Sequence, residues 1–172
     1  MSVKKILTEP NKLLRQVSKS VDKVGDEERA LMNDMIDTMY DAPGIGLAAI
    51  QIGVPKRIIV MDISRDEEKK EPRYFVNPII KNKNEEKVKY EEGCLSVPDQ
   101  FAEIERPNSC EIEYLDYEGK KQFLKADGLL ATCIQHEMDH LEGILFIDYL
   151  SKLKKSMIIK KLSKIKVNRK IF

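Results

Sequence analysis

Long apolar runs, cysteines and histidines are all scarce in this chain, and each shortage narrows what the protein can be. No apolar run approaches the ~20 residues needed to cross a bilayer, which argues against a membrane protein. Three cysteines, an odd number, argue against a disulfide framework and for a reducing compartment. The N-terminal residues are basic but lack the apolar segment of a secretory signal. We therefore expect a cytoplasmic protein.

Acidic residues are absent from the C-terminal segment 151–172, here called the basic tail. The tail carries nine Lys or Arg side chains, and subtracting them from the net charge of +1 leaves −8 on residues 1–150. The chain of 172 residues is 42% hydrophobic and 34% charged, which suits a single domain over 1–172 with a strongly charged surface. We expect an acidic body with a basic extension.

The hydrophobic pattern predicts the α+β class, because strands dominate the first part of the chain and the long helix comes late. The predicted elements are a helix over 27–40, strands over 57–63 and 74–80, a hairpin over 110–127, a helix from 128 to about 143, and a basic helix over 147–165. Asp26 and Asp127 are the expected N-caps of the first two helices.

The segment "QHEMDHLEG", residues 135–143, contains the only two histidines of the chain, His136 and His140. On a helix their spacing of four residues places both imidazoles on one face, where they can bind the same metal ion. A catalytic zinc-type site usually has three protein ligands and a water. A third ligand must therefore come from another part of the chain.

Two familiar sources of a third ligand are missing downstream. An extended HExxH motif would place a histidine where this chain has Phe146, and no acid follows Asp148. Asp148 itself is only a weak candidate. Elimination thus directs the search upstream, where cysteine is the strongest ligand type.

The three cysteines differ in their sequence surroundings. Cys110 alternates with apolar residues in a strand pattern and is expected in the core. Cys133 shares the histidine face, but one turn below the pair, and should line a pocket floor. Cys94, in "EEGCLSVP", lies in a segment with irregular backbone signals that suits an exposed thiolate. Cys94 is favoured as the third ligand, with a buried structural cysteine as the alternative.

The segment "GIGLAAIQ", residues 44–51, fits the G-x-G-x-x-A fingerprint of dinucleotide-binding proteins. That fingerprint must follow a strand and begin a helix. Here a predicted helix and Pro43 precede it, so the nucleotide interpretation is not favoured.

Together, "GIGLAAIQ", "EGCLS" (92–96) and "QHEMDHLEG" resemble the three motifs of bacterial peptide deformylases, in the family's order and at its usual separations. The resemblance extends over nearly the whole chain. It implies an enzyme that releases formate from the N-terminal formyl-methionine of newly made proteins. It also implies antiparallel β-sheets around a central helix that carries HExxH, with an N-terminal helix and a basic C-terminal helix.

The resemblance assigns roles to individual residues. The metal ligands are Cys94, His136 and His140, with a water in the fourth position. Glu137 takes a proton from that water and later gives one to the departing amine, which is general acid–base catalysis. The implied donors to the formyl oxygen are the Gln51 side-chain amide and the Leu95 backbone N–H. The implied substrate-binding residues are Ile45, Gly46, Leu47, Tyr90, Leu129 and Cys133.

The identity of the metal has two competing indications. A site of two histidines and one cysteine suits zinc by ligand type. The family, however, commonly uses ferrous iron and tolerates nickel or cobalt. The resemblance therefore implies one divalent ion, Fe²⁺, with Zn²⁺, Ni²⁺ or Co²⁺ as alternatives.

Two positions depart from the family pattern. Pro43 and Phe101 stand where many relatives carry an acid and an arginine, so the contacts with the distal part of the peptide are in question. Losing both charges is less damaging than losing one, because neither partner is left unpaired. Arg106 fits an arginine that relatives place before a proline.

The partners expected from the resemblance are formyl-methionyl nascent peptides and, through the basic tail, the ribosome. Some relatives dock on the ribosome through their C-terminal helix. The tail is expected to pack on the body through its apolar residues Leu153, Met157, Ile158, Leu162 and Ile165. We expect a monomer with no DNA or membrane partner.

Two other functions are compatible with parts of the pattern. A metallopeptidase that cleaves internal peptide bonds is disfavoured by the missing third histidine and the missing downstream glutamate. A catalytically silent binding protein acting through the basic tail is disfavoured by the intact Glu137, Cys94 and Gln51.

Overall fold

The computed structural model describes residues 2–64 and 66–170, with side chains described as far as residue 164. Within these residues the helices are α1 (Asp26–Asp41), α2 (Gly128–Leu141) and α3 (Lys152–Lys170). The strands are β1 (Gly46–Ala48), β2 (Ile58–Met61), β3 (Arg73–Lys83), β4 (Lys87–Cys94), β5 (Val97–Pro107), β6 (Ser109–Leu115) and β7 (Lys121–Asp127). No helix in the described ranges is both long enough and apolar enough to span a membrane.

The strands form two antiparallel sheets. The larger sheet has the order β1-β2-β3-β6-β7, and β4 and β5 form a separate two-stranded sheet. The α+β prediction is confirmed at this level: antiparallel sheets with three helices. The hairpin predicted over 110–127 is confirmed as β6 and β7, and Gly119 takes a positive φ of 84° in its turn. The β4–β5 hairpin, in contrast, was not predicted.

The larger sheet is covered by α1 on one face and by α2 on the other. Strand β2 is apolar at every position and fully buried, as expected for a strand with both faces covered. Ile58 and Val60 pack with α1, whereas Ile59 and Met61 pack with α2. The apolar cluster between α1 and the sheet, here called the α1 cluster, includes Met32, Met35 and Met39 of α1. These residues fill the core, as methionines at helical spacing usually do.

Helix α1 begins as predicted to within one residue, but its N-cap is Gly25 and not Asp26. The Glu28 carboxylate accepts a hydrogen bond from the Gly25 N–H at 3.0 Å. This hydrogen bond gives the Gly25 N–H a partner from the first turn of the helix. Gly25 is therefore the N-cap, and Asp26 is the first helical residue.

A third apolar cluster joins the smaller sheet to α3. It contains the β5 residues Val97 and Ile104, the segment 145–147, and Ile158 and Leu162 of α3. The predicted packing of α3 is correct for Ile158 and Leu162 but wrong for Leu153 and Met157, which are 72% and 50% exposed. Ile158, Leu162 and the partly buried Ile159 face the body, whereas Leu153 and Met157 lie on another i, i+4 row of α3. The predicted contact of Ile165 lies outside the described side chains.

Candidate metal centre and active site

The end of β4 and one face of α2 bring three potential metal ligands together. The Cys94 sulfur and one nitrogen of each of His136 and His140 all lie within 4.8 Å of one another. The Cys94 Sγ is 3.4 Å from His140 Nε2. Two ligands of a tetrahedral ion at ordinary bond lengths are about 3.5 Å apart, so the donor set fits one transition-metal ion. Among the described residues no other His, Cys, Asp or Glu group meets this spacing.

The competing candidate ligands have other surroundings. Cys110 is buried in β6 opposite Ala126, within the core cluster of the larger sheet. Burial raises the thiol pKa of Cys110 and, further, that of Cys133, which keeps both as neutral thiols. Asp148 pairs with Arg15 and, at 2.7 Å, with Lys155. None of the three joins the Cys94 centre.

His136 is oriented by a buried carboxylate that the sequence pattern did not reveal. Its Nδ1 lies 2.8 Å from Glu92 Oε1. A bond from Nδ1–H to a carboxylate leaves Nε2 as the metal-facing nitrogen. Burial alone would raise the pKa of Glu92, but hydrogen bonds from His136 and Arg106 lower it below its ordinary value. Glu92 therefore remains a carboxylate and fixes the imidazole ring.

Arg106 continues this network away from the centre. Its guanidinium donates to both Glu92 oxygens, at 2.7 and 2.9 Å, and to Asp139 Oδ2 at 2.8 Å. The Tyr149 hydroxyl also donates to Asp139, at 2.7 Å, and the Arg106 guanidinium lies 5.0 Å from the centre of the Tyr149 ring. The whole group depends on Arg106, because its removal would leave the buried Glu92 and the half-buried Asp139 without this cation.

Glu137 follows His136 in sequence but does not join the ligands. Its carboxylate is 4% exposed, and Oε2 has no hydrogen-bond partner among the described residues. Burial raises the pKa of Glu137 to about 7, although a bound cation would lower it again by favouring the carboxylate. A Cβ at Gly46 would lie 2.6 Å from Glu137 Oε1, so only glycine allows β1 to approach this closely.

Gln51 presents its amide to the centre in a fixed orientation. Its Oε1 accepts the Ala48 N–H at 2.9 Å, so Nε2 must point the other way. Nε2 donates to Ser96 Oγ at 3.0 Å and lies 3.6 Å from Cys94 Sγ. Leu95 lies beside Cys94 in the turn that joins β4 to β5. Ser96, which is fully buried, was missed in the sequence analysis although it belongs to the second motif.

A cavity of about 720 Å³ opens onto this centre. Five of the six predicted substrate-binding residues line it: Ile45, Gly46, Tyr90, Leu129 and Cys133. The sixth, Leu47, is not among the lining residues, and its part in substrate binding stays a prediction. Successive strand residues point to opposite faces, and the Leu47 side chain is fully buried in the cluster against α1.

Part of the backbone of the first motif is already hydrogen-bonded within the fold. The Ile45 carbonyl accepts the Asp62 N–H at 2.9 Å. That carbonyl already continues the β1–β2 pairing, so a bound peptide would pair with other backbone groups of this segment. In an antiparallel pair the N–H and the carbonyl of one residue point to the same side, so the backbone groups that face away from β2 are those of Gly46. The contact of Ile45 and Gly46 with substrate stays a prediction.

A cysteine sulfur and two imidazoles at the wall of a cavity, next to a buried carboxylate, define the class of metal-dependent hydrolases. Comparison with known proteins identifies the family. The family described as polypeptide deformylase matches residues 3–156, and the chain belongs to it. Its members are metalloenzymes, which agrees with the Cys94 centre.

Individual relatives cover nearly the whole chain. A peptide deformylase from Pelagibacter ubique is 88% identical, over 98% of this chain and 98% of the relative. One from Phenylobacterium zucineum is 59% identical, over 95% and 97%. The crystal structure of peptide deformylase from Ehrlichia chaffeensis matches with a TM-score of 0.91 at 44% identity, over 96% of this chain and 97% of that one. A second structure from that organism, in complex with actinonin, matches with a TM-score of 0.90 at 47% identity, over 95% and 98%.

Proposed function

We propose that this chain hydrolyses the formyl group from the N-terminal formyl-methionine of newly synthesised proteins and releases formate. The observation that carries the proposal is the buried, unpaired Glu137 carboxylate beside the centre of Cys94, His136 and His140. In a chain of the deformylase family, hydrolysis of an amide requires a metal centre with a carboxylate of this kind beside it. In this reading α2 is the central helix that carries the HExxH motif.

The three ligands would hold one divalent ion, Fe²⁺ by family and Zn²⁺, Ni²⁺ or Co²⁺ as alternatives. Such an ion, when bound, lowers the pKa of a coordinated water to near neutrality and polarises a carbonyl oxygen. Glu92 and Arg106 keep the His136 imidazole in the orientation that binding needs.

The chain's own residues then divide the remaining work. Glu137 accepts the proton of the attacking water and delivers a proton to the amine as the C–N bond breaks. The Gln51 Nε2–H and the Leu95 N–H donate to the formyl oxygen as negative charge develops on it. The products are formate and a peptide with a free N-terminal amine.

The methionine side chain would occupy the apolar part of the cavity. Leu129 and Cys133 of α2 form one wall, and Ile45 and Tyr90 lie at the opening, where they are 47% and 37% exposed. The neutral Cys133 thiol suits an apolar pocket. The peptide backbone would extend along Gly46 as a short added strand.

Formate release tests the function directly. Formyl-Met peptides should be hydrolysed with a kcat/KM roughly tenfold to hundredfold above that of matched formyl-Gly peptides, because the methionine side chain is buried in the cavity. Acetyl-Met peptides serve as the control and should react poorly, since the extra methyl crowds the carbonyl. Equal rates for formyl-Met and formyl-Gly would contradict the assigned pocket, and no formate from any peptide would favour a silent binding protein.

We also propose that the basic tail contacts the ribosome. Ile158 and Leu162 fix α3 to the body, while Lys154, Lys160 and Lys161 are exposed. The first turn of α3 contains lysines and no acid, although the helix dipole favours acids there. These lysines lie where the helix dipole favours acids. A cluster of this kind is suited to binding a polyanionic partner.

Charge reversal tests the tail. Lys154→Glu, Lys160→Glu and Lys161→Glu together should abolish a ribosome binding that weakens steeply with salt in the unmodified protein. Lys155 is left unchanged because it pairs with Asp148. The matched control reverses three exposed lysines of the body, Lys69, Lys87 and Lys121. Co-sedimentation at low salt measures binding, and equal binding by both triple variants would contradict the proposal.

A further inference from the structure

The Phe101 ring covers a glycine at the edge of the catalytic cavity. Phe101 of β5 lies directly opposite Gly93 of β4. A Cβ built on Gly93 would lie 2.6 and 2.7 Å from two ring carbons of Phe101, so the ring occupies the space that a side chain at 93 would fill. The ring is nevertheless 65% exposed, and both residues line the cavity. An aromatic ring is thus held in place at the cleft while most of its surface faces solvent.

The face on which this ring lies follows from the pleat of the hairpin. Glu92 points inward to His136, so its neighbour Gly93 presents the opposite face. On β5 the inward residues Ala102, Ile104 and Arg106 alternate with exposed ones, and Phe101 belongs to the exposed set. The Phe101 ring therefore lies on the outer face of the hairpin, at the rim of the cavity.

A peptide in the cleft would follow the same alternation. The methionine side chain points inward, to the pocket of Leu129 and Cys133. In an extended chain the next side chain points to the opposite face. That is the face of Gly93 and Phe101. Because Gly93 has no side chain, nothing at that position separates the ring from a neighbouring strand.

We propose that Phe101 determines specificity for the second residue of the substrate, by packing its ring against an apolar side chain directly after formyl-methionine. The inference rests on the proposed deformylase function and adds a substrate class to it. The ring offers no charge to a polar or acidic side chain at that position, and Pro43, which also lines the cavity, offers none either. Apolar second residues gain contact area with the ring that polar residues of similar size do not.

The experiment compares formyl-Met-Leu-Ser and formyl-Met-Asn-Ser peptides, whose second residues are similar in size but differ in polarity. The readout is the ratio of the two kcat/KM values within each variant, so a general change of activity cancels. The unmodified protein should prefer Leu about fivefold to tenfold, the factor expected for partial burial of one apolar side chain. Phe101→Ala should bring the ratio close to one, and Phe101→Tyr should restore it.

Phe123→Ala is the matched control, because Phe123 is an exposed aromatic residue (52%) on β7 that does not line the cavity. It should keep the ratio of the unmodified protein. A ratio near one in the unmodified protein, or an unchanged ratio in Phe101→Ala, overturns the contact while leaving deformylation in place. A fall of the ratio in Phe123→Ala as well would also overturn it. Absence of formate from either peptide would overturn the proposed function together with this contact.

Discussion

Replacing Glu137 with Gln should lower kcat by ~10² to 10⁴ while the protein keeps its metal and its fold. Glutamine has nearly the same shape but cannot accept the proton of the attacking water. The same loss affects the second proton transfer, to the leaving amine. Because Glu137 is buried and its Oε2 has no hydrogen-bond partner among the described residues, removing its charge should not destabilise the protein.

Three measurements on Glu137→Gln separate catalysis from folding: formate release, metal content and the midpoint of thermal unfolding. Glu142→Gln is the matched control, since this exposed acid directly follows α2 and pairs with Arg57. It should retain normal turnover. Near-normal formate release by Glu137→Gln would remove this residue from the mechanism, and loss of metal would show that it acts as a ligand.

Replacing Cys94 with Ala should abolish metal retention, from about one ion per chain to almost none. A catalytic site with three protein ligands has no spare donor, and among the described residues Cys94, His136 and His140 form the one group of His, Cys, Asp or Glu with ligand spacing. Anaerobic purification followed by metal analysis measures the content. The same analysis on the unmodified protein tests whether the ion is Fe²⁺.

Two cysteine variants control for the loss of a thiol as such. Cys110→Ala removes a buried core thiol opposite Ala126, and Cys133→Ala removes one from the cavity wall. Both should keep the metal, although Cys133→Ala should alter the preference for methionine. Metal retained by Cys94→Ala but lost from either control would overturn the ligand assignment.

The sequence predicted the parts of the candidate site that depend on local geometry. His136 and His140 share a face because a helix repeats every 3.6 residues, and the 128–141 helix was expected from its own pattern. Cys94 was favoured by elimination, because the chain has no third histidine and no acid after Asp148. The turn of the β6–β7 hairpin was likewise visible in neighbouring residues.

The network behind His136 could not be predicted in the same way. Glu92 is 44 residues from His136, and Arg106 is 33 residues from Asp139. Charged residues in strands usually face solvent, so nothing local distinguishes the buried Glu92 from the exposed Glu91 beside it. Only the docking of the β4–β5 sheet against α2 decides which acid is buried.

The direction in which a side chain points was likewise decided by tertiary packing and not by the local sequence. The family resemblance implied that Ile45, Gly46 and Leu47 bind the substrate. Ile45 and Gly46 line the cavity, whereas the Leu47 side chain lies in the α1 cluster. Likewise, the apolar residues of α3 were predicted to form one stripe, yet Leu153 and Met157 remain exposed.

What the sequence determined by itself was therefore the type of the elements outside the β4–β5 hairpin, the spacing of the two histidines and the family resemblance. These depend on residues close together in the chain or on motifs read in order. Tertiary structure alone decided which face each element buries, which carboxylates pair with Arg106, and that Phe101 covers Gly93 at the cleft. The physical reason is that burial and pairing are properties of two packed segments. A periodic pattern specifies that one face is apolar, but the partner that covers it is set by the fold.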